Sequence, residues 1–226
     1  MGQLDSLDSS EHRENSRLGV GTLRAQAVTR MLTSPSMIAS GALVTLEEWA
    51  ALDEDDSSEL VDGMLEEAEM TSVTHEVVVA WLLSLLVPYF RARGGVALGS
   101  GVKLAISPRR GRMGDIVCFD RGQRLPARGV VQVPPYVVVE VISEGGHNQR
   151  RDRVAKVTDY AAFGVRYYWL IDPEVRSLEI LELGADGRYV HALGASEGKV
   201  TSVPGCPDCV LDLDDLWAGI DALSTG

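Results

Sequence analysis

The chain has 226 residues, is 45% hydrophobic and 24% charged, and carries a formal net charge of −12. That is the profile of a soluble globular protein with length for one domain and a proper core, and the acidic balance argues at first against a nucleic-acid partner. The charge is uneven, however: Lys103 to Lys156 holds eleven basic and five acidic residues, and the remainder ten basic and twenty-eight acidic.

No stretch approaches the roughly 18 uncharged apolar residues of a membrane span, so no membrane association is expected. The N-terminus lacks the basic and apolar segments of a secretory signal. Three cysteines, Cys118, Cys206 and Cys209, form no disulfide framework, which fits a reducing, cytoplasmic setting. CPDC at 206–209 is a lone CxxC without a second ligand pair, so it reads as a turn with two small apolar residues rather than a zinc site.

Residues 1–40 are polar and poorly periodic, and are expected to be a flexible or partly helical tail; the domain spans 41–226. TLEEWAALD reads as a short helix with Thr45 as N-cap and Glu48 completing a capping box. In ELVDG, Asp62-Gly63 signals a hairpin turn. From Thr71 to Arg93 the pattern is helical, with Val73, Val77, Ala80, Trp81, Leu85 and Val87 at helical spacing, ended by Gly94-Gly95. VALGSGVKLAIS and MGDIVCFD read as two strands joined by a basic turn, PRRGR. An Arg-rich connection leads to PPYVVVEVIS. The loop SEGGHNQ follows, then a helix from about Gln149 to Phe163 closed by Gly164. VRYYWLIDP is a strand, RSLEILEL and GRYVHAL a hairpin, and DLDDLWAGI a short helix. The order predicts an α+β fold, a mixed central sheet flanked by helices.

PPYVVVEVIS places Glu140 within a β-branched apolar run, where an unpartnered carboxylate is costly. Alternation puts Val138, Glu140 and Ile142 on one face and Val137, Val139 and Val141 on the other. Asp115, in the similar strand GDIV, is the best candidate neighbour. Two converging carboxylates suit a hard divalent cation, Mg²⁺ or Mn²⁺. On the following helix Asp152, Lys156 and Tyr160 share a face by i, i+4 spacing, with Val154, Val157 and Ala161 on the apolar side. A lysine near two carboxylates and a metal suits water orientation and stabilisation of charge on a phosphate. The plainer reading of Glu140 is a structural ion pair with Lys156 or Arg153, and of His75 a core histidine. No Gly-rich phosphate loop, GxSxG or HExxH is present, and no organic cofactor is expected.

The ordered set GD…EVIS…D…K…YAAFGVRYYWLIDP, with ELVDG at 59–63, Thr74-His75 and VPGCPDCVLDLDDLW, resembles the Uma2 family. This is a bacterial group of restriction-endonuclease-like proteins in the PD-(D/E)xK nuclease superfamily, and the resemblance runs from about Glu47 to Trp217. It implies a restriction-endonuclease-like core and a metal-dependent endonuclease acting on DNA, with a homodimer as in nucleases that cut duplexes as pairs. It implies metal binding by Asp115, Glu140 and the backbone carbonyl of Val141, with Lys156 as the catalytic lysine supplied from the next helix. Glu59, His75, Asp152 and Tyr160 are accessory candidates. Two positions depart from the family pattern: Gly114 stands where a proline precedes the Asp, and the loop before Asp152 is about two residues longer, with Gly145-Gly146 in it. The alternative is a nuclease-fold module with little or no turnover that binds nucleic acid or a protein partner.

Overall fold

The computed structural model describes residues 42–53, 56–67, 71–142 and 147–225. The expected tail over 1–40 and most of the loop after Glu140 lie outside them. The described residues open with α1 (Leu46–Ala50), and Thr45 and Glu48 form the expected capping box. The hairpin β1 (Glu59–Val61) and β2 (Met64–Glu66) turns at Asp62 and Gly63. Both adopt positive φ, 53° and 82°, as a tight two-residue hairpin turn requires.

The long helix α2 (Val73–Ala92) leads into β3 (Val96–Leu98), β4 (Leu104–Ser107), β5 (Arg110–Arg112) and β6 (Ile116–Phe119). Two strands were expected over this stretch and four form. Glycines at 99 and 101 break the first, and the segment expected as a turn, Arg110–Arg112, is itself a strand. Then come β7 (Val137–Val141), α3 (His147–Phe163), β8 (Tyr167–Asp172), β9 (Ser177–Leu183), β10 (Tyr189–Ala195), the short β11 (Lys199–Val200) and β12 (Leu211–Asp212), and α4 (Leu213–Asp221). α3 begins two residues before the expected Gln149.

The central sheet is mixed, in the order β10-β9-β8-β7-β6-β3. Only β7 and β8 run parallel, and α3 makes the crossover between them, as a parallel connection demands. A second sheet, β2-β1-β5-β4, lies beside it. The bridge Leu104↔Val131 joins β4 to the connection before β7, and α3 packs on β4 as well as, through Tyr160, on the central sheet.

Each face of the central sheet is covered. Ile116, Cys118, Val137, Val139 and Val141 pack with α2 and α4 in one core, whereas Val117, Phe119, Val138, Tyr168 and Leu170 pack with Tyr160 of α3 and with Leu104 in the other. The alternation read along β7 therefore holds. The stripe expected on α2 does not. The buried face is His75, Val78, Val79, Leu82, Leu86 and Phe90, while Val73 and Val87 are exposed. This helix is apolar nearly all round, so periodicity alone does not single out its inner face. By length and composition alone it would even suffice to cross a membrane; here one side of it lies on the sheet. Val154, expected on the apolar side of α3, is also exposed.

Trp49 of α1 is fully buried with Leu60 in a third small core. Its ring lies flat on Gly111 of β5, where any Cβ would collide with it. All three cysteines are free and buried. Burial pushes the Cys118 thiol far above its ordinary value and the Cys206 thiol up to about 12, so CPDC is packing material, as expected.

Candidate active site

β6 and β7 pair antiparallel with Ile116 opposite Val139. One step further the register sets Asp115 opposite Glu140, at the open end of the sheet. The Asp115 backbone N–H donates to the Val139 carbonyl at 3.1 Å. Its carboxylate then accepts the Val141 N–H at 2.7 Å through Oδ2, so the side chain caps the ladder where β6 begins. The same oxygen lies 3.3 Å from Nε2 of His75, on the first turn of α2. His75 is thus not merely a core histidine. Burial lowers its pKa, but the hydrogen bond and charge of Asp115, with Glu76 adding to them, outweigh burial and leave it raised.

Glu140 is buried and doubly engaged. Tyr160, fully buried on α3, donates its hydroxyl to Oε1 at 2.7 Å, and Lys156 donates to Oε2 at 3.0 Å. Lys156 also stands 3.5 Å from Oε1 of Glu59. The expected Lys156–Tyr160 face of α3 does point back to Glu140. The side chain of Asp152 lies outside the described residues.

Glu59, on β1, accepts the Met113 N–H at 2.9 Å and a charged hydrogen bond from Arg112 at 2.6 Å. Sequence reasoning missed Arg112 and its second partner, Asp159, 2.8 Å from the guanidinium Nε. Asp159 is held by Arg110 as well, which continues outward to Asp62. A faint signal existed: Asp159 lies three residues beyond Lys156, so it shares that side of the helix.

The electrostatics follow from crowding. Burial raises the Glu140 pKa to about 7; Lys156 and the Tyr160 hydroxyl pull it down, and the nearby Asp115 and Glu59 charges push it up. Three carboxylates thus converge where burial already penalises negative charge, which is the setting a cation relieves. Among the described residues, no group of three or more His, Cys, Asp or Glu side chains encloses an ion site by itself. Asp115 and Glu140, opposite one another in the register, nevertheless offer a hard-oxygen pair. It suits Mg²⁺, which keeps several waters and takes one or two carboxylates. Asp115 is the most open of the three carboxylates, at 19% side-chain exposure against 10% for Glu59 and 11% for Glu140, so a ligand would approach from its side.

The family described as "Putative restriction endonuclease", Uma2, matches residues 43–214. The chain belongs to the Uma2 family. Among solved structures, a "putative nuclease belonging to DUF820" from Anabaena variabilis ATCC 29413 superposes with a TM-score of 0.62 at 17% identity, covering 77% of this chain and 98% of that one. That likeness bears on the fold alone, and the fold is the restriction-endonuclease-like α+β core. No curated protein matches the chain.

The Uma2 departure at position 114 has a physical cause. A Cβ on Gly114 would meet Cγ1 of Val138 at 2.7 Å. Val138 packs into the α3-side core, so the proline of the family pattern has no room here. Gly114→Ala is expected to destabilise the fold by roughly 1–3 kcal/mol, as overpacking does, and to displace Asp115. Urea melts check the first, and Mn²⁺ binding by calorimetry checks the second.

Proposed function

We propose that the protein is a divalent-metal-dependent nuclease that hydrolyses phosphodiester bonds in DNA. The observation that carries this is the register placing Asp115 opposite Glu140, with the ammonium of Lys156 brought to 3.0 Å from Glu140 by the following helix. Asp115, Glu140 and the Val141 carbonyl would hold Mg²⁺ or Mn²⁺. Such an ion, when bound, supplies positive charge to the phosphate and acidifies an attacking water. Lys156 orients that water and stabilises the charge developing on the phosphate. Tyr160 and Glu59 fix the acceptor and the ammonium, and His75 fixes Asp115. Membership of the Uma2 family supports the assignment. A homodimer would place two such sites on one duplex.

The test is plasmid DNA with Mg²⁺ or Mn²⁺, beside Glu140→Ala and Lys156→Ala. Metal-dependent cleavage lost in both variants is the expected outcome; cleavage surviving both sinks the proposal. The second reading, a binding module without turnover, is favoured by the saturated Glu140, both of whose oxygens already accept hydrogen bonds. It requires salt-dependent DNA affinity without cleavage, unchanged by Glu140→Ala.

A further inference from the structure

The geometry points to Arg112 as a positioning residue that sets where the Lys156 ammonium stands, an inference that rests on the nuclease reading for its catalytic consequence. Arg112 is 1% exposed and the last residue of β5. Its guanidinium reaches two elements at once. Nε donates to Asp159 at 2.8 Å on the helix that carries Lys156, and NH1 donates to Glu59 at 2.6 Å on β1. Glu59 in turn stands 3.5 Å from Lys156.

Arg112 also lies three residues before Asp115, and the intervening Met113 gives its N–H to the same Glu59. One planar cation thus joins the segment delivering Asp115, the helix delivering Lys156, and the carboxylate that shares the lysine with Glu140. Asp159 immediately precedes Tyr160, the donor to Glu140, so shifting this stretch of helix would disturb both groups on Glu140 together.

The guanidinium fork holds its two carboxylates, on different elements, in a fixed mutual geometry that a point charge on a flexible stem does not impose. Arg112→Lys therefore preserves charge and removes the bridge. The isosteric Asp159→Asn keeps an acceptor and weakens the helix end of the bridge, together with the Arg110 contact to the same carboxylate.

Two readouts are needed, with thermal melts confirming that each variant is folded. The first is independent of activity: acylation of Lys156 by an amine-reactive ester, followed by mass spectrometry against the other lysines. Both variants are expected to label faster at Lys156 than the parent protein. The second is Mg²⁺-dependent plasmid cleavage. Arg112→Lys is expected to lower kcat about 10–100-fold, the usual cost of losing an outer-shell support, with little change in KM, and to add nothing in a Lys156→Met background. Unchanged Lys156 labelling in both variants overturns the assignment whatever the cleavage assay gives. So does an equal loss of cleavage with or without Lys156. Faster labelling with no cleavage even by the parent protein keeps the positioning role and removes the nuclease reading.

Discussion

Glu140→Gln is expected to abolish Mn²⁺ binding and cleavage while making the metal-free protein more stable at pH 8. Burial, reinforced by Asp115 and Glu59, raises the Glu140 pKa from 4.5 to about 7 even with Lys156 and Tyr160 opposing. Between those two values the folded protein keeps a proton that the unfolded chain has released. Stability from this group is therefore full below about pH 4.5, falls as pH rises, and is gone above about pH 7. At about 1.4 kcal/mol for each pH unit, ionising Glu140 in the fold costs on the order of 3 kcal/mol. Glutamine has no such slope, and its amide oxygen still accepts one of the two donors. Urea melts in chelator at pH 5 and pH 8 compare the two proteins. The variant should gain most at pH 8, and a variant weaker there than the parent contradicts the account. The carboxylate would then be kept in spite of its cost to stability, as expected of a group retained for function.

Lys156→Ala should produce the opposite pair of effects. Mn²⁺ binding persists, because Asp115 and Glu140 remain and a competing positive charge has left. Cleavage falls about 10²–10³-fold, the loss seen when one preorganised charge-stabilising donor is removed. The fold weakens at pH 8 by roughly 3 kcal/mol, since Glu59 and Glu140 lose their shared countercharge in a buried place. The weakening shrinks toward pH 5, where Glu140 takes up a proton instead. Calorimetry with Mn²⁺, single-turnover cleavage and melts at two pH values separate the three effects. A Lys156→Ala protein that no longer binds Mn²⁺ would mean that the lysine organises the carboxylates rather than acting beside them.

What could be read from the residues divides along a physical line. Features set by local chemistry were legible: the Thr45–Glu48 capping box, the Asp62-Gly63 turn and the closure of α3 at Gly164. So was the pairing of Asp115 with Glu140, because strict alternation on β7 leaves few places for a buried carboxylate to go. Features set by partners distant in the chain were not. Arg112 sits in a run of arginines that looks like an exposed turn, and only the second sheet folding against α3 makes it a buried bridge from Glu59 to Asp159. The inner face of α2 was misjudged because apolar residues surround it, leaving the choice to the sheet beneath. The division of VALGSGVKLAIS into two strands belonging to different sheets is likewise a tertiary decision.

The three enclosed thiols offer a probe of these energetics. A sulfhydryl held protonated and walled in by packing is silent to alkylating or disulfide reagents until the surrounding structure opens. Colour development with such a reagent in native buffer would therefore time the opening of the α2-side core, where Cys118, Cys206 and Cys209 reside. Substitutions in the acidic cluster could then be ranked by opening rate, with no denaturant, no metal and no nucleic acid in the cuvette.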